Sequence, residues 1–277
     1  MGDKQAFRRV AFLTMKLPLN VYLAEMACTG ILVFVGLSFV IMDFGKGSGV
    51  ATLIHDTGLR RLITGFLFGS TGAAIAVSPI GKESGAHINP AVTLAFYLKK
   101  KISGSHAIGY VVSQLIGAIL GALPLVLWGQ VGSSVDFGVT EPGKHYGALQ
   151  AFIGETITTF ALITGLFFFL SHKKIQRFTP LLFPVLYALM VYIEAPVSGT
   201  STNPARSLGP SVLSGNWHGW WIYWLGPLAG TLFAIGIHKL PLLNRFEIAV
   251  AKIYHFDHDP YKIFHFTGPE KIKKQKK

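Results

Sequence analysis

Apolar residues run along this chain in long blocks separated by short polar stretches. A helix needs about 20 predominantly apolar residues to cross a bilayer. Blocks of that order fall at 19–42, 59–80, 106–128, 147–170, 179–196 and 219–240. Any one of them could be a buried core helix; six in succession, with charged links between them, read as six membrane crossings. Two shorter apolar segments break the rhythm, and each opens with the same tripeptide, Asn89-Pro90-Ala91 and Asn203-Pro204-Ala205. Proline suits the first turn of a helix, where its missing N–H leaves no bond unmade. An asparagine just before it can cap that helix by accepting from backbone N–H groups. The asparagine NH₂ is then left to donate into the space in front. Two such amides meeting at mid-membrane would make a polar waist in a pore.

The two tripeptides belong to an internal repeat. At an offset of 114 residues, Ser84-Gly85-Ala86-His87-Ile88-Asn89-Pro90-Ala91 lies over Ser198-Gly199-Thr200-Ser201-Thr202-Asn203-Pro204-Ala205. At an offset of 113, Tyr110, Gly117 and Gly121 lie over Tyr223, Gly230 and Ala234. Glu25 and Glu155 hold the same place in the first span of each half, followed by Thr29 and Thr159. Each half has three spans, so the second must be inserted upside down relative to the first. Inverted repeats of that kind place their functional site where broken helices meet near the midplane. Gly117-x-x-x-Gly121 and Gly226-x-x-x-Gly230 give smooth faces for close helix packing. An ionisable group inside a span is costly and faces the protein interior or a cavity. For Glu25 and Glu155 a proton relay is one reading. The one adopted here is structural: each holds the irregular backbone before a half-helix, which survives at that depth only with polar partners or against water.

Composition sharpens the class. A mean hydropathy of +0.47 with 14% charged residues is too apolar for an ordinary soluble domain. The net charge of +12 raises nucleic-acid binding as a possibility, but the basic residues sit in loops and a tail. Lys4, Arg8, Arg9, Lys16, Lys82, Lys99 to Lys101, Lys173, Lys174, Arg177 and the residues from Lys239 onward place 20 of the 25 Lys and Arg on one side. That asymmetry puts both termini in the cytoplasm, where the basic tail can meet anionic headgroups; no nucleic-acid partner is expected. Cys28 is the sole cysteine, so no intrachain disulfide can form. The first apolar run, without a small-residue cleavage site, reads as a retained span. The expected organisation is a segment 1–18, a channel domain 19–240 with halves at about 19–130 and 147–240, and a basic tail 241–277. His255, Asp257, His258 and Asp259 in that tail have metal-ligand chemistry; a solvated, irregular tail accounts for them equally, and no metal or cofactor is assigned. Trp217, Trp220, Trp221, Tyr223 and Trp224 suit an interfacial belt.

The loops Ser84-Gly85-Ala86-His87-Ile88-Asn89-Pro90-Ala91-Val92-Thr93 and Gly199-Thr200-Ser201-Thr202-Asn203-Pro204-Ala205-Arg206-Ser207 closely resemble the two signature loops of the aquaporin and glycerol-facilitator family. The resemblance implies an all-α membrane fold of six transmembrane helices and two half-helices around a pore. It also implies four subunits per assembly, and passive flow of water or small neutral solutes such as glycerol or urea, without protons or ions. By the same resemblance, Asn89 and Asn203 are the paired pore asparagines and Arg206 the arginine of a narrow outer filter. The carbonyls of Gly85, Ala86 and His87, and of Gly199, Thr200 and Ser201, line the two half-channels. His87 itself reads as held in its loop rather than as a pH gate. The setting is a plasma membrane, or an inner membrane if the source is bacterial.

Counting back without gaps from each asparagine places Gly69, Val191, Thr200 and Arg206 at the filter. These are small or medium side chains apart from the arginine, so the expected constriction is wider than a water-only filter. A shift of one residue on the second span would instead bring Phe68 or Ser70 there, and Phe68 would narrow it. Ser207 stands where glycerol facilitators carry aspartate, while Ser211, Tyr223 and Trp224 look more like the water-channel branch. Rival readings are a strictly water-selective pore, a non-conducting scaffold of the same fold, and a membrane enzyme. No nucleophile, acid–base or metal constellation beyond the two glutamates and the tail histidines supports the last.

Overall fold

The computed structural model describes residues 18–238 and 247–265. Among them the regular structure is all helical apart from one isolated antiparallel bridge between Ile102 and Phe264. Six long helices are α1 (Leu19–Phe44), α2 (Thr57–Val77), α4 (Gly104–Ala122), α5 (Ala148–Ser171), α6 (Thr179–Ser198) and α8 (Ile222–Ile237). Between them lie the two half-helices, α3 (Pro90–Leu98) and α7 (Pro204–Ser214). Short unlabelled turns of helix fill the links, among them Gly49–Leu53, Pro79–Ser84 and Gly129–Ser133.

Helices α1 and α5, and the stretches Gly104–Ser133 and Gln176–Ser198 that contain α4 and α6, are each long and apolar enough to cross a membrane. Helix α8 is shorter, 16 residues. Helix α2 is long enough but carries Arg60, Arg61, Thr64, Ser70 and Thr71, because two of its faces meet protein and a polar cavity instead of lipid. Ile108, Leu127, Ile157, Leu181, Ile193 and Phe233 are all more than half exposed. A belt of bare apolar side chains is what a lipid-facing surface requires and what a water-facing one avoids.

The packing repeats across the two halves. Helix α1 lies against α4 in the first and α5 against α8 in the second, while α2 and α6 join the halves along their length. Glycine makes the first two contacts possible. A Cβ on Gly117 would stand 2.2 Å from the Met26 carbonyl oxygen, and one on Gly230 would stand 2.4 Å from that of Thr156. Tyr110 and Tyr223, equivalent in the repeat, are both buried, and their hydroxyls donate to the carbonyls of Ser84 and Ser198 respectively. Tyr223 is therefore a brace inside the bundle and not part of the aromatic belt, whereas Trp217, Trp220 and Trp221 are exposed as a belt requires.

Residues 247–265 depart from the expected solvated tail. Ile248, Ala251, Ile253, Ile263 and Phe264 are buried, and Lys252 is fully buried with them. The four side chains considered as metal ligands are spent on docking this segment or are left to its surface. His255 Nε2 lies 3.0 Å from the Val77 carbonyl and His258 Nε2 lies 2.9 Å from Glu83 Oε1. Asp259 accepts from the amides of Ile263 and Phe264, each at 3.1 Å. Among the described residues no three potential ligands gather into a metal-binding group.

Gly117→Val should force α1 and α4 apart and cost about 1–3 kcal/mol or more, the range for overpacking a close contact. The check is the thermal midpoint of the detergent-solubilised protein. A midpoint equal to that of the unmodified chain would mean that the two helices do not meet there.

Candidate functional site

Each half-helix is started by its asparagine. Asn89 Oδ1 accepts from the Ala91 amide at 2.8 Å, and Asn203 Oδ1 accepts from Ala205 at 3.0 Å and Arg206 at 3.3 Å. The NH₂ groups are not left wholly free, as the sequence alone suggested. Asn89 Nδ2 donates to the Thr202 carbonyl and Asn203 Nδ2 to the Ile88 carbonyl, both at 2.9 Å. The two loops are thus cross-braced at their tips. Each NH₂ has two hydrogens, so one per asparagine stays available to the cavity that Asn89 and Asn203 both line.

The loops leading into the half-helices are contorted in the same way. Gly85 and Gly199 cap the preceding helices in the left-handed region at φ +87° and +85°. Ala86, Ile88, Thr200 and Thr202 also have positive φ, between +46° and +55°, an unfavourable region for β-branched side chains. Each such residue costs on the order of 1–3 kcal/mol unless its surroundings fix it. The Ser84 and Ser198 hydroxyls accept from the amides of Ala86 (3.0 Å) and Thr200 (3.2 Å), and the buried glutamates hold Ile88 and Thr202. Glu155 accepts from the amides of Ser201 (2.6 Å) and Thr202 (2.8 Å) and from the Ser198 hydroxyl (2.8 Å). Glu25 accepts from the Ile88 amide and from Gln114 Nε2, the latter at 2.7 Å. Gln114 also donates to Thr93 Oγ1 in the first half-helix, at 2.9 Å.

Two cavities lie on the path through the bundle. The inner one is lined by Phe68, Gly72, His87, Asn89, Asn203 and Ile253 among others. The outer one is lined by Arg61, Thr64, Thr140, Val191, Gly199 and Arg206 among others. One stripe of each central helix serves both. On α2 the outer cavity has Thr57, Arg61 and Thr64 and the inner one Phe68 and Gly72; on α6 Phe183 and Tyr187 face inward and Val191 and Ala195 outward. Spacings of three and four residues keep a side chain on one helical face. The boundary between the cavities is therefore flanked by Phe68 and Tyr187 on one side and Val191 and Arg206 on the other. The Phe68 ring lies 6.0 Å from the Arg206 guanidinium carbon and 5.8 Å from the Tyr187 ring.

Gly69 sits differently from Phe68. It borders the inner cavity, but a Cβ there would stand 2.3 Å from the Phe183 carbonyl oxygen, so its open side is where α6 presses against α2. Gly69, the position reached by counting back from Asn89, thus borders the cavity while packing against α6, and Phe68 beside it turns its ring toward Arg206. Two short stretches intervene between α2 and Asn89, and nothing fixes their length. In the sequence, the ladder Arg61, Thr64, Phe68, Gly72 traces the stripe of α2 that borders the two cavities. Arg206 is 5% exposed, and its Nη1 donates to the Gly138 carbonyl at 2.8 Å. Thr200 is buried and donates to Glu194 Oε2 at 2.5 Å, a carboxylate within α6 that sequence reading passed over. His87 stacks on Phe96 with ring centroids 4.5 Å apart, and its Nε2 lies 3.1 Å from the Ala251 carbonyl. The Gly85 carbonyl accepts from the Ile253 amide at 3.2 Å; Ala86 and Ser201 are buried beside it and its counterpart.

The sequence pattern of the family described as major intrinsic protein matches residues 13–238. The chain belongs to the major intrinsic protein family. It is 34% identical over 230 residues to a probable aquaporin PIP2-7 of Oryza sativa subsp. japonica, covering 79% of this chain and 78% of that one. Aquaporin A of Dictyostelium discoideum is 35% identical over 224 residues, 78% of each chain, and aquaporin-4 of Bos taurus is 31% identical over 224 residues, 78% of this chain and 69% of that one. In three dimensions the chain superposes on the aquaglyceroporin of Plasmodium falciparum with a TM-score of 0.66 at 20% identity, over 83% of this chain and 99% of that one, which speaks to the fold. As a major intrinsic protein the chain is a membrane channel, not an enzyme.

In this member of the family, Glu155 should be indispensable to the second loop. Glu155→Ala strips the acceptor from two buried amides and a hydroxyl, and each unsatisfied group costs about 1–3 kcal/mol. That variant should fall well below Glu155→Gln, which keeps one acceptor oxygen, in thermal midpoint and in yield of monodisperse protein. Equal midpoints for the alanine variant and the unmodified chain would remove Glu155 from this role.

Proposed function

We propose that the chain passes water through a pore whose waist is the Asn89–Asn203 pair and whose narrowest point lies where Phe68 faces Arg206. The observation that carries this reading is the shared cavity at the tips of two half-helices, each aiming an N-terminus and one spare amide hydrogen at it. A helix N-terminus bears roughly half a positive charge, and two of them with an arginine beyond repel cations and protons. Moving a small ion from water into such a low-dielectric site costs on the order of 20 kcal/mol by an idealised Born estimate. A water molecule forgoes only hydrogen bonds of modest net worth, about 1 kcal/mol each, which carbonyls and amides replace.

Phe68 also bears on what else passes. With Gly69 at the constriction the filter would be broad; with Phe68 there, beside Val191, Thr200 and Arg206, the aromatic ring fills much of the gap. We therefore favour water as the main permeant, with glycerol and urea passing far more slowly. Positive charge on the side of Lys82 and Lys99 to Lys101 supports a cytoplasmic location for that face and for both termini. The family resemblance supports a plasma-membrane or bacterial inner-membrane protein of four copies. The division into a channel domain 19–240 and a tail 241–277 is retained on the same footing.

Stopped-flow light scattering on proteoliposomes tests this. A sucrose gradient should shrink them quickly, with a low temperature dependence; shrinkage no faster than in empty liposomes would leave the scaffold reading in its place. Phe68→Ala should raise the glycerol and urea rates several-fold while water flow persists. Gly69→Ala should act on stability and leave the solute ratio alone, and the opposite pattern would return Gly69 to the filter. Arg206→Val should loosen charge exclusion, read as a proton leak with a pH-sensitive dye inside the vesicles. An unchanged leak would place the arginine outside the constriction.

A further inference from the structure

Ile253 is 2% exposed and lines the same cavity as Asn89 and Asn203, although it lies 50 residues beyond Asn203 in the chain. Its amide donates to the Gly85 carbonyl, one of the oxygens expected to receive hydrogen bonds from permeating water. On one side of it the Ala251 carbonyl meets His87 Nε2. On the other, Lys252 lays its stem over Gly85, where an added Cβ would stand 2.7 Å from Lys252 Cγ. The Lys252 ammonium donates to the carbonyls of Lys82 at 2.6 Å and Glu83 at 3.2 Å. Further out, His258 with Glu83, the Ile102–Phe264 bridge and the His265 amide on the Lys101 carbonyl (2.8 Å) fasten the segment down.

From this arrangement we propose that residues 247–265 form an autoinhibitory plug, docked in the mouth opposite Arg206, with Ile253 closing the pore. The inference rests on the reading of the chain as a water channel. The chemistry is that of a stopper: an sp³ hydrocarbon side chain offers a single file of water no hydrogen bond, and the Ile253 amide takes one of the two acceptor positions of the Gly85 carbonyl. Reversibility is built into the same residues. Lys252 is fully buried, and its ammonium meets two main-chain carbonyls and the face of the Phe264 ring, 5.0 Å away, with no carboxylate in contact. A desolvated ammonium without a carboxylate in contact weakens the docked state relative to a neutral residue of that shape. The plug thus combines an apolar seal with a charge that favours release.

Unit water permeability of three forms in proteoliposomes, normalised to the amount of channel, tests the proposal: the full chain, a chain ending at residue 246, and full-length Ile253→Gly. Removing a plug docked nine-tenths of the time raises permeability about tenfold, and both altered forms should move in that direction. Lys252→Met should move the other way, below the full chain. If the shortened chain does not yield folded protein, Ile253→Gly decides alone, since it leaves every main-chain bond of the segment in place. Equal permeability in Ile253→Gly and the full chain overturns the plug and leaves the channel standing. No water flow in any form overturns the channel reading and the plug with it.

Discussion

Every backbone N–H and C=O within the thickness of a membrane must find a partner, because lipid supplies none. A pore made from two half-helices breaks that rule twice, at the loops that bring the chain to mid-depth. Glu25 and Glu155 answer it. Each sits fully buried in the first helix of its half; Glu155 presents both carboxylate oxygens to loop amides that no helix satisfies, and Glu25 presents one oxygen to the Ile88 amide. Ile88 and Thr202 stay at positive φ because those hydrogen bonds hold them there, and Ser84 and Ser198 do the same for Ala86 and Thr200.

The two halves share this device down to its supports. A tyrosine from the last helix of each half fixes the carbonyl of the serine before the left-handed glycine. The asparagine of each loop then reaches across to the carbonyl just ahead of the other asparagine. The halves differ in what surrounds each loop. The second loop carries Arg206 and the Thr200–Glu194 bond and faces the outer cavity. The first has Gln114 linking its glutamate to the half-helix and lies under the segment 247–265. One end of the path is thus bordered by Arg206 and the other by residues 247–265.

The same close contacts that build the bundle hide the identity of the pore-facing residues. Gly69 and Phe68 are neighbours in sequence, yet one turns its bare face to the α6 backbone and the other its ring toward Arg206. A glycine in a membrane helix serves packing as readily as it widens a passage. Only its neighbours in space tell which.

The sequence by itself determined a great deal: the six apolar blocks, the inverted repeat, the two capped half-helices, the paired glutamates and the arginine after the second motif. Each depends on interactions local in the chain or on a repeated pattern, and such features leave a mark in residue order. The tertiary structure decided what depends on distance between segments that no pattern links. It set the register of α2 against the second loop, because the stretches joining α2 to Asn89 are of no fixed length. It showed that half of each asparagine NH₂ is spent on the opposite loop. And it brought Ile253 into the cavity with Asn89, a contact made by an ordinary aliphatic residue in a charged tail, with no periodicity or motif to announce it.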